Sequence, residues 1–402
     1  MNKAKIIILI TVFLDVTGLG IVVPSLPIYL DNITKSAFAV GLVFSAYALF
    51  GFLVGPLLGS LSDRYGRRPI LLISIFGTSI GWFVFSLGTL PFIILGRVIN
   101  GITSGNISIA QSYLTDISKN PRDRTHNLGM MGAIFGIGLV VGPAIGAALS
   151  SISITFPFLA SGFLALANTI AAYFLLPETH TNRNSHHPIA INPLGGIKRA
   201  FSNKTVGTLL VIWFFYGMTM NSFHSVFYLY THMAYDMNAA KNGLILTGIG
   251  LVMAINQGIL LKHFWLRFWT EPKLQIMSNV TMIIALALIA VGNIWIMLLG
   301  IFLQSFAQPL LRVISNSEIS GAAPPHERGE ILGVYQSLFF LSAIVTPLIG
   351  GKLLDVALPL PWIAGILYMT VAFILLSLYY KRIAAVKPAK PVIDAGMETE
   401  IE

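Results

Sequence analysis

Twelve apolar stretches, each long enough to cross a bilayer, divide this chain and leave little else to fold around. They lie at about residues 5–30, 38–58, 69–88, 91–115, 126–149 and 155–177, then at 206–231, 241–262, 273–292, 294–316, 329–351 and 359–380. A spanning helix needs about 20 mostly apolar residues, so the spacing predicts an all-α, polytopic membrane protein. The 402 residues are 55% hydrophobic and only 10% charged, with a mean hydropathy of +0.79, which excludes an ordinary soluble domain. The net charge of +9 implies no nucleic-acid partner, because the basic residues sit between apolar runs rather than in patches on a polar surface. No cysteine is present, so disulfides and thiolate metal sites are excluded. The opening Lys3, Lys5 and apolar run begin like a signal peptide. They continue through Asp15 to Pro27 without a small-residue cleavage site, and so read as the first membrane helix.

The stretches group as six and six. Residues 178–205, starting beside Pro177 and containing Asn182, His187, Pro188 and Pro193, read as a polar linker. The expected organisation is a bundle at 1–177, the linker at 178–205, a second bundle at 206–381 and a polar tail at 382–402. If both termini are cytoplasmic, 20 of the 25 lysines and arginines fall on that side. Lys35, Lys241 and Lys352 fall outside it, and Arg97 and Arg312 lie within helices. The positive-inside rule favours this orientation, which predicts a multi-pass protein of the cell (inner) membrane with both termini cytoplasmic. The halves also repeat: Pro121, Arg124, Leu128, Gly129, Pro143 and Gly146 match Pro325, Arg328, Leu332, Gly333, Pro347 and Gly350 at a constant offset of 204 residues. A shared offset predicts two pseudo-symmetric six-helix bundles with a path between them.

Polar residues inside the apolar spans are the candidate functional groups. Asp15 lies ~15 Å into the first span, about halfway across the hydrocarbon. An ionised carboxylate there costs ~3 kcal/mol or more, so it reads as a proton carrier, with a structural acid hydrogen-bonded to a neighbouring helix as the alternative. Arg97, in the fourth span, lies within ~6 Å of the height of Asp15; it either bridges to that acid or ties the fourth helix to backbone carbonyls of the first. Tyr216, Asn221, His224, Asn256, Gln257, Gln304, Gln308 and Gln336 lie in spans of the second half. Singly, each is accounted for by an interhelical hydrogen bond; as a set with nearby aromatics they suggest a mixed pocket, and with Asp15, whose buried carboxylate beside aromatics attracts cations, they are the candidate contacts of an amphipathic or cationic small molecule. Arg312 reads as a side chain snorkelling toward the end of its helix.

The most specific string is the short loop from Gly59 to Pro69, containing Asp63, Arg64, Gly66, Arg67 and Arg68. It resembles the signature loop of the major facilitator superfamily. Leu14-Asp15 with Gly18, Gly20, Pro24 and Pro27 resembles the first-helix motif of that superfamily's drug:proton antiporters, Arg97 with Gly101 and Gly105 resembles their fourth-helix motif, and Gly138, Gly142, Pro143 and Gly146 resemble their fifth-helix antiporter motif. The group the chain most resembles is that of the twelve-helix tetracycline exporters. The resemblance implies that Asp63 lies against the start of the eleventh helix, near Arg328 to Glu330, and that Arg67 pairs with Asp116. Together with Gly59 these residues would form a cytoplasmic gate, the Arg67–Asp116 pair closing when the protein faces outward. It also implies that the fifth-helix motif seals the halves against leak.

The function these features imply is proton-coupled export of a small molecule by alternating access. Its partners are the substrate, protons and the lipid bilayer. No cofactor or metal is implied, and a monomer is expected. A metabolite or siderophore exporter, a proton symporter and a non-transporting membrane receptor are the competing readings. The sequence contains no phosphate loop, nucleophile triad or zinc helix, which argues against an ATP-driven pump or a membrane hydrolase.

Overall fold

The computed structural model describes residues 3–119, 121–179, 195–324 and 328–386. Among them it has no strands and twelve helices long and apolar enough to span a membrane: α1 Lys3–Thr34, α2 Ala37–Tyr65, α3 Arg67–Phe85, α4 Leu90–Asp116, α5 Asn127–Ile152, α6 Phe156–Leu175, α7 Lys204–Tyr235, α8 Ala239–Leu261, α9 Glu271–Ala290, α10 Ile294–Ala322, α11 Ile331–Val356 and α12 Leu360–Arg382. Two are interrupted, α1 by a turn at Val23–Ser25 and α4 by a turn at Thr103–Gly105. A short helix, Gly195–Ala200, precedes α7, within the stretch read as linker, and the helix that contains α12 runs on to Val386. Most of the expected tail and the centre of the linker lie outside the described residues.

Packing repeats with the sequence. In the first half α1 packs on α5 and α6, and α3 on α4 and α6; in the second half α7 packs on α11 and α12, and α9 on α10 and α12. The repeated glycines explain the correspondence. A Cβ at Gly146 would stand 2.2 Å from the carbonyl oxygen of Ile21 in α1, and one at its counterpart Gly350 would stand 2.9 Å from Val226 in α7. Small residues allow this backbone approach, which in lipid is a main source of helix affinity.

Two symmetric contacts join the halves, α2 with α11 and α5 with α8. Both are tight at the end away from the chain termini. A Cβ at Gly41 would stand 2.1 Å from the Pro347 carbonyl oxygen, one at Gly351 2.3 Å from that of Ala37, and one at Gly243 2.9 Å from that of Pro143. Asp355 of α11 caps α2 across the divide, its carboxylate accepting from the backbone N–H of Ala37 at 2.8 Å and of Phe38 at 3.1 Å. An acid at a helix amino end satisfies orphan donors and complements the dipole. Toward the termini the same helices stand apart: a Cβ at Gly55, Gly59, Gly129, Gly132, Gly136 or Gly333 would meet nothing within 4 Å. The space between the halves therefore opens on the side that carries the termini.

Cysteine labelling tests the orientation. Lys35 and Ser202 are exposed at opposite ends of the bundle, and Lys35 avoids Ser36, whose hydroxyl bonds Asp355. Lys35→Cys should react with an impermeant thiol reagent in intact cells and Ser202→Cys only after permeabilisation; the reverse pattern would overturn the positive-inside assignment. The lack of native cysteine leaves no background.

Candidate functional site

The first half holds a cavity of about 100 Å³ lined by Asp15 and Leu19 of α1, Tyr47 of α2, Thr78 and Trp82 of α3, and Arg97, Asn100 and Asn106 of α4, among others. Close contact between α3 and α4 builds it. A Cβ at Gly96 would stand 2.5 Å from the Gly81 carbonyl oxygen, and one at Gly81 1.9 Å from Asn100 Oδ1, so these glycines let α4 press its polar face inward. Beyond its turn, α4 resumes at Asn106. That break brings the Asn106 amide to Asp15, donating to Oδ1 at 2.7 Å and to Thr78 Oγ1 at 3.3 Å.

Asp15 and Arg97 share this cavity but are not ion-paired. The ion pairs among the described residues all involve Arg67. Arg97 instead lies among aromatic rings, its guanidinium carbon 4.4 Å from the centroid of Tyr47, 5.6 Å from Trp82 and 5.8 Å from Phe44. Ring faces attract a cation and hold it with little loss of packing. Two polar groups beside it, Arg97 Nε and the Asn100 amide, are buried without a hydrogen-bond partner in the structure. The neighbour of Asp15 is thus Asn106, which the sequence reading passed over; an asparagine following a glycine inside an apolar span was the available signal.

The loop residues converge within the first half. Arg67 is buried, its Nη1 contacting Asp63 at 2.5 Å and donating to Ser62 Oγ at 2.7 Å, while its Nε bonds Asp116 at 2.9 Å. Gly66, at φ +110°, starts the turn into α3. The space its Cβ would fill is taken by the Glu178 carboxylate, which accepts from the backbone N–H groups of Arg67 and Arg68 at 3.1 and 3.3 Å. Here the expectation is corrected: the Arg67–Asp116 pair is formed while the halves stand apart on this side. It is a clasp joining α2, α3 and α4, rather than a contact that requires closure. The side chains at the start of the eleventh helix, which Asp63 was expected to meet, lie outside the described residues.

In the fifth-helix motif Gly138 packs on Val16, Gly142 on Thr17 and Gly20, Gly146 on Ile21, and Pro143 on Gly20. The motif is therefore the seam with α1, one turn from Asp15, and its far end also meets α8.

The polar residues of the second half divide. Tyr216 donates to the Gln308 carbonyl at 3.0 Å, Asn221 donates to Ser342 Oγ at 2.9 Å, and Asn256 donates to the Phe306 carbonyl at 2.9 Å while accepting from Trp265 at 2.7 Å. These three tie helices together. Gln304 is buried, its Oε1 without a partner, whereas Gln257 and Gln336 are exposed. His224 lies edge-on to Phe223, with ring centroids 6.0 Å apart. Arg312 is exposed on α10.

Twelve spanning helices in two repeated sets, with Asp15 and Arg97 lining one cavity, are the architecture of a polytopic membrane transporter. The comparisons give the family. The Major Facilitator Superfamily family model matches residues 8–270 and 269–396, and the chain belongs to that superfamily. It is 27% identical over 94% of its length to the class H tetracycline resistance protein of Pasteurella multocida, covering 96% of that protein. It is 35% identical to the class C tetracycline resistance protein of Escherichia coli over 64% of this chain and 66% of that one. The quinolone resistance protein NorA of Staphylococcus aureus (strain MRSA252) is 25% identical over 90% of this chain and 92% of its own. In fold the chain resembles the human organic anion transporter MFSD10, with a TM-score of 0.71 at 22% identity over 93% of this chain and 99% of that one. As a member of that superfamily the chain is a transporter, not an enzyme.

A mutant cycle tests the clasp. Arg67→Ala, Asp116→Asn and their combination, unfolded in detergent, should give a coupling energy of ~1–2 kcal/mol, as partly buried charge pairs do. A coupling near zero would make Arg67 a topology signal only.

Proposed function

We propose that this protein is a proton-coupled exporter of small amphipathic molecules, working by alternating access in the cell (inner) membrane with both termini cytoplasmic. The observation that carries the reading is Asp15: a carboxylate midway through a span, lining a cavity, held by one amide and by no cation. In such surroundings the neutral acid is cheap to keep and the anion costly, so ionisation calls for water, a swing of Arg97 from its aromatic cage, or a cationic group on the substrate. Proton and substrate then exclude one another, and an inward proton gradient drives outward transport. The opening on the terminal side would be the cytoplasmic entrance. The loop residues Gly59, Asp63, Arg67 and Asp116 would act at that gate as a rigid unit, and Gly138, Gly142, Pro143 and Gly146 would keep the α1–α5 seam tight. The names of the relatives make tetracyclines and quinolones the first compounds to test.

Asp15→Asn fixes the neutral form. In proteoliposomes it should lose gradient-driven export by at least ~100-fold, while remaining monodisperse and retaining exchange without a gradient. Substrate binding to the wild type should weaken as pH falls, and this dependence should vanish in the variant. Uphill export by Asp15→Asn at the wild-type rate would reduce Asp15 to a structural acid and make His224 the next residue to test.

A further inference from the structure

The first half fastens α3 to α4 with the Arg67–Asp116 ion pair; the corresponding helices of the second half, α9 and α10, are joined through an acid that has no cation. Glu318 lies about one turn before the end of α10 at Ala322. Its Oε1 is hydrogen-bonded to the Tyr380 hydroxyl of α12, and the same hydroxyl is hydrogen-bonded to Oε1 of Gln275 of α9. The Gln275 amide continues to Ser315 Oγ, on α10 again, at 3.2 Å. Gln275 and Ser315 are buried, and Glu318 Oε2 is buried without a hydrogen-bond partner in the structure. The other charged or titratable groups at this end are Glu271 and Lys273 of α9, Lys204 of α7, His263 and Arg267 just past α8, and Tyr379, Lys381 and Arg382 beside Tyr380. Every lysine and arginine among them is exposed, and among the described residues none is ion-paired with Glu318. The side chains at the start of α11 lie outside the described residues. Glu271, one turn before Gln275 on the same face of α9, adds a like charge.

A phenol carries one proton, and this one stands between two oxygens. With the acid protonated the chain is complete: Glu318 donates to Tyr380, Tyr380 to Gln275, and the Gln275 amide to Ser315. With the acid ionised it is complete once the Gln275 amide turns over and every donor reverses: Ser315 to Gln275, Gln275 to Tyr380, Tyr380 to Glu318. Either state keeps three hydrogen bonds, so gain or loss of a proton costs the network none. The unpartnered Oε2 and the lack of a cation favour the neutral acid. We infer that Glu318 is a second proton-binding site, separate from the Asp15 cavity, with Tyr380 and Gln275 as its positioning residues. It lies at the end of the bundle that carries the termini, so it exchanges protons with that compartment, which is the cytoplasm under the export reading.

Infrared spectra of the purified full chain in an ester-free detergent test this, because a protonated carboxyl has a C=O stretch that ionised acids and amides lack and that shifts in D2O. Asp15→Asn is the starting protein, so that the Asp15 carboxyl does not contribute. At neutral pH it should show a protonated-carboxyl band that falls away as the pH is raised. Adding Glu318→Gln, which has the shape of the neutral acid, should remove the band. Adding Tyr380→Phe, which takes away the oxygen that accepts the Glu318 proton, should shift the band to higher frequency. Absence of the band from Asp15→Asn, or a band untouched by Glu318→Gln, overturns the inference. If Glu318→Gln does not fold, Tyr380→Phe decides, and an unmoved band overturns the inference equally. A purely structural tie between Tyr380 and an ionised Glu318 gives no band. Failure of the export reading would appear separately, as absent gradient-driven flux, because these spectra need no transport.

Discussion

An ionised group inside hydrocarbon must find a partner, water or a way to become neutral, and the arrangement of this chain follows from how few such groups it keeps. Asp15 is met by the Asn106 amide, Arg97 by three aromatic rings, and Arg67, at the edge of the span, by two carboxylates. Each solution draws on helices distant in sequence. Building the Asp15 cavity needs the break in α4, the glycine contacts of α3 with α4, and the α1–α5 seam together.

The contacts between halves are uneven from end to end. On the side away from the termini, α2 meets α11 and α5 meets α8 through glycines at backbone distance, with Asp355 capping α2 from the other half. On the terminal side a Cβ on the glycines of α2, α5 and α11 would meet nothing within 4 Å. Because each half is rigidly packed and the two are repeats, a rocking motion would close one end as it opens the other without repacking either bundle. The Arg67 clasp lies wholly in the first half, so it would travel with that bundle.

Much of this was legible in the chain. Run length fixed the number of spans, and the offset of 204 residues foretold that Gly146 and Gly350 make equivalent contacts. The pairing of Arg67 with Asp116 followed from the signature loop. Partners defined by side-chain direction were less accessible. Similar depth suggested that Arg97 faces Asp15, but depth does not reveal that Phe44, Tyr47 and Trp82, from two other helices, surround the guanidinium. Glu178 read as part of a polar linker, since only tertiary closure brings it beneath α3.

Coupling of proton movement to substrate movement is the claim on which the functional account depends. It can be measured in vesicles holding the wild-type protein and a pH-sensitive dye, with a tetracycline or a quinolone supplied on one side and no imposed pH difference. The account predicts substrate-dependent proton flux opposite in direction to the substrate and absent from protein-free vesicles. Substrate movement without proton flux, or with protons moving in the same direction, would contradict it.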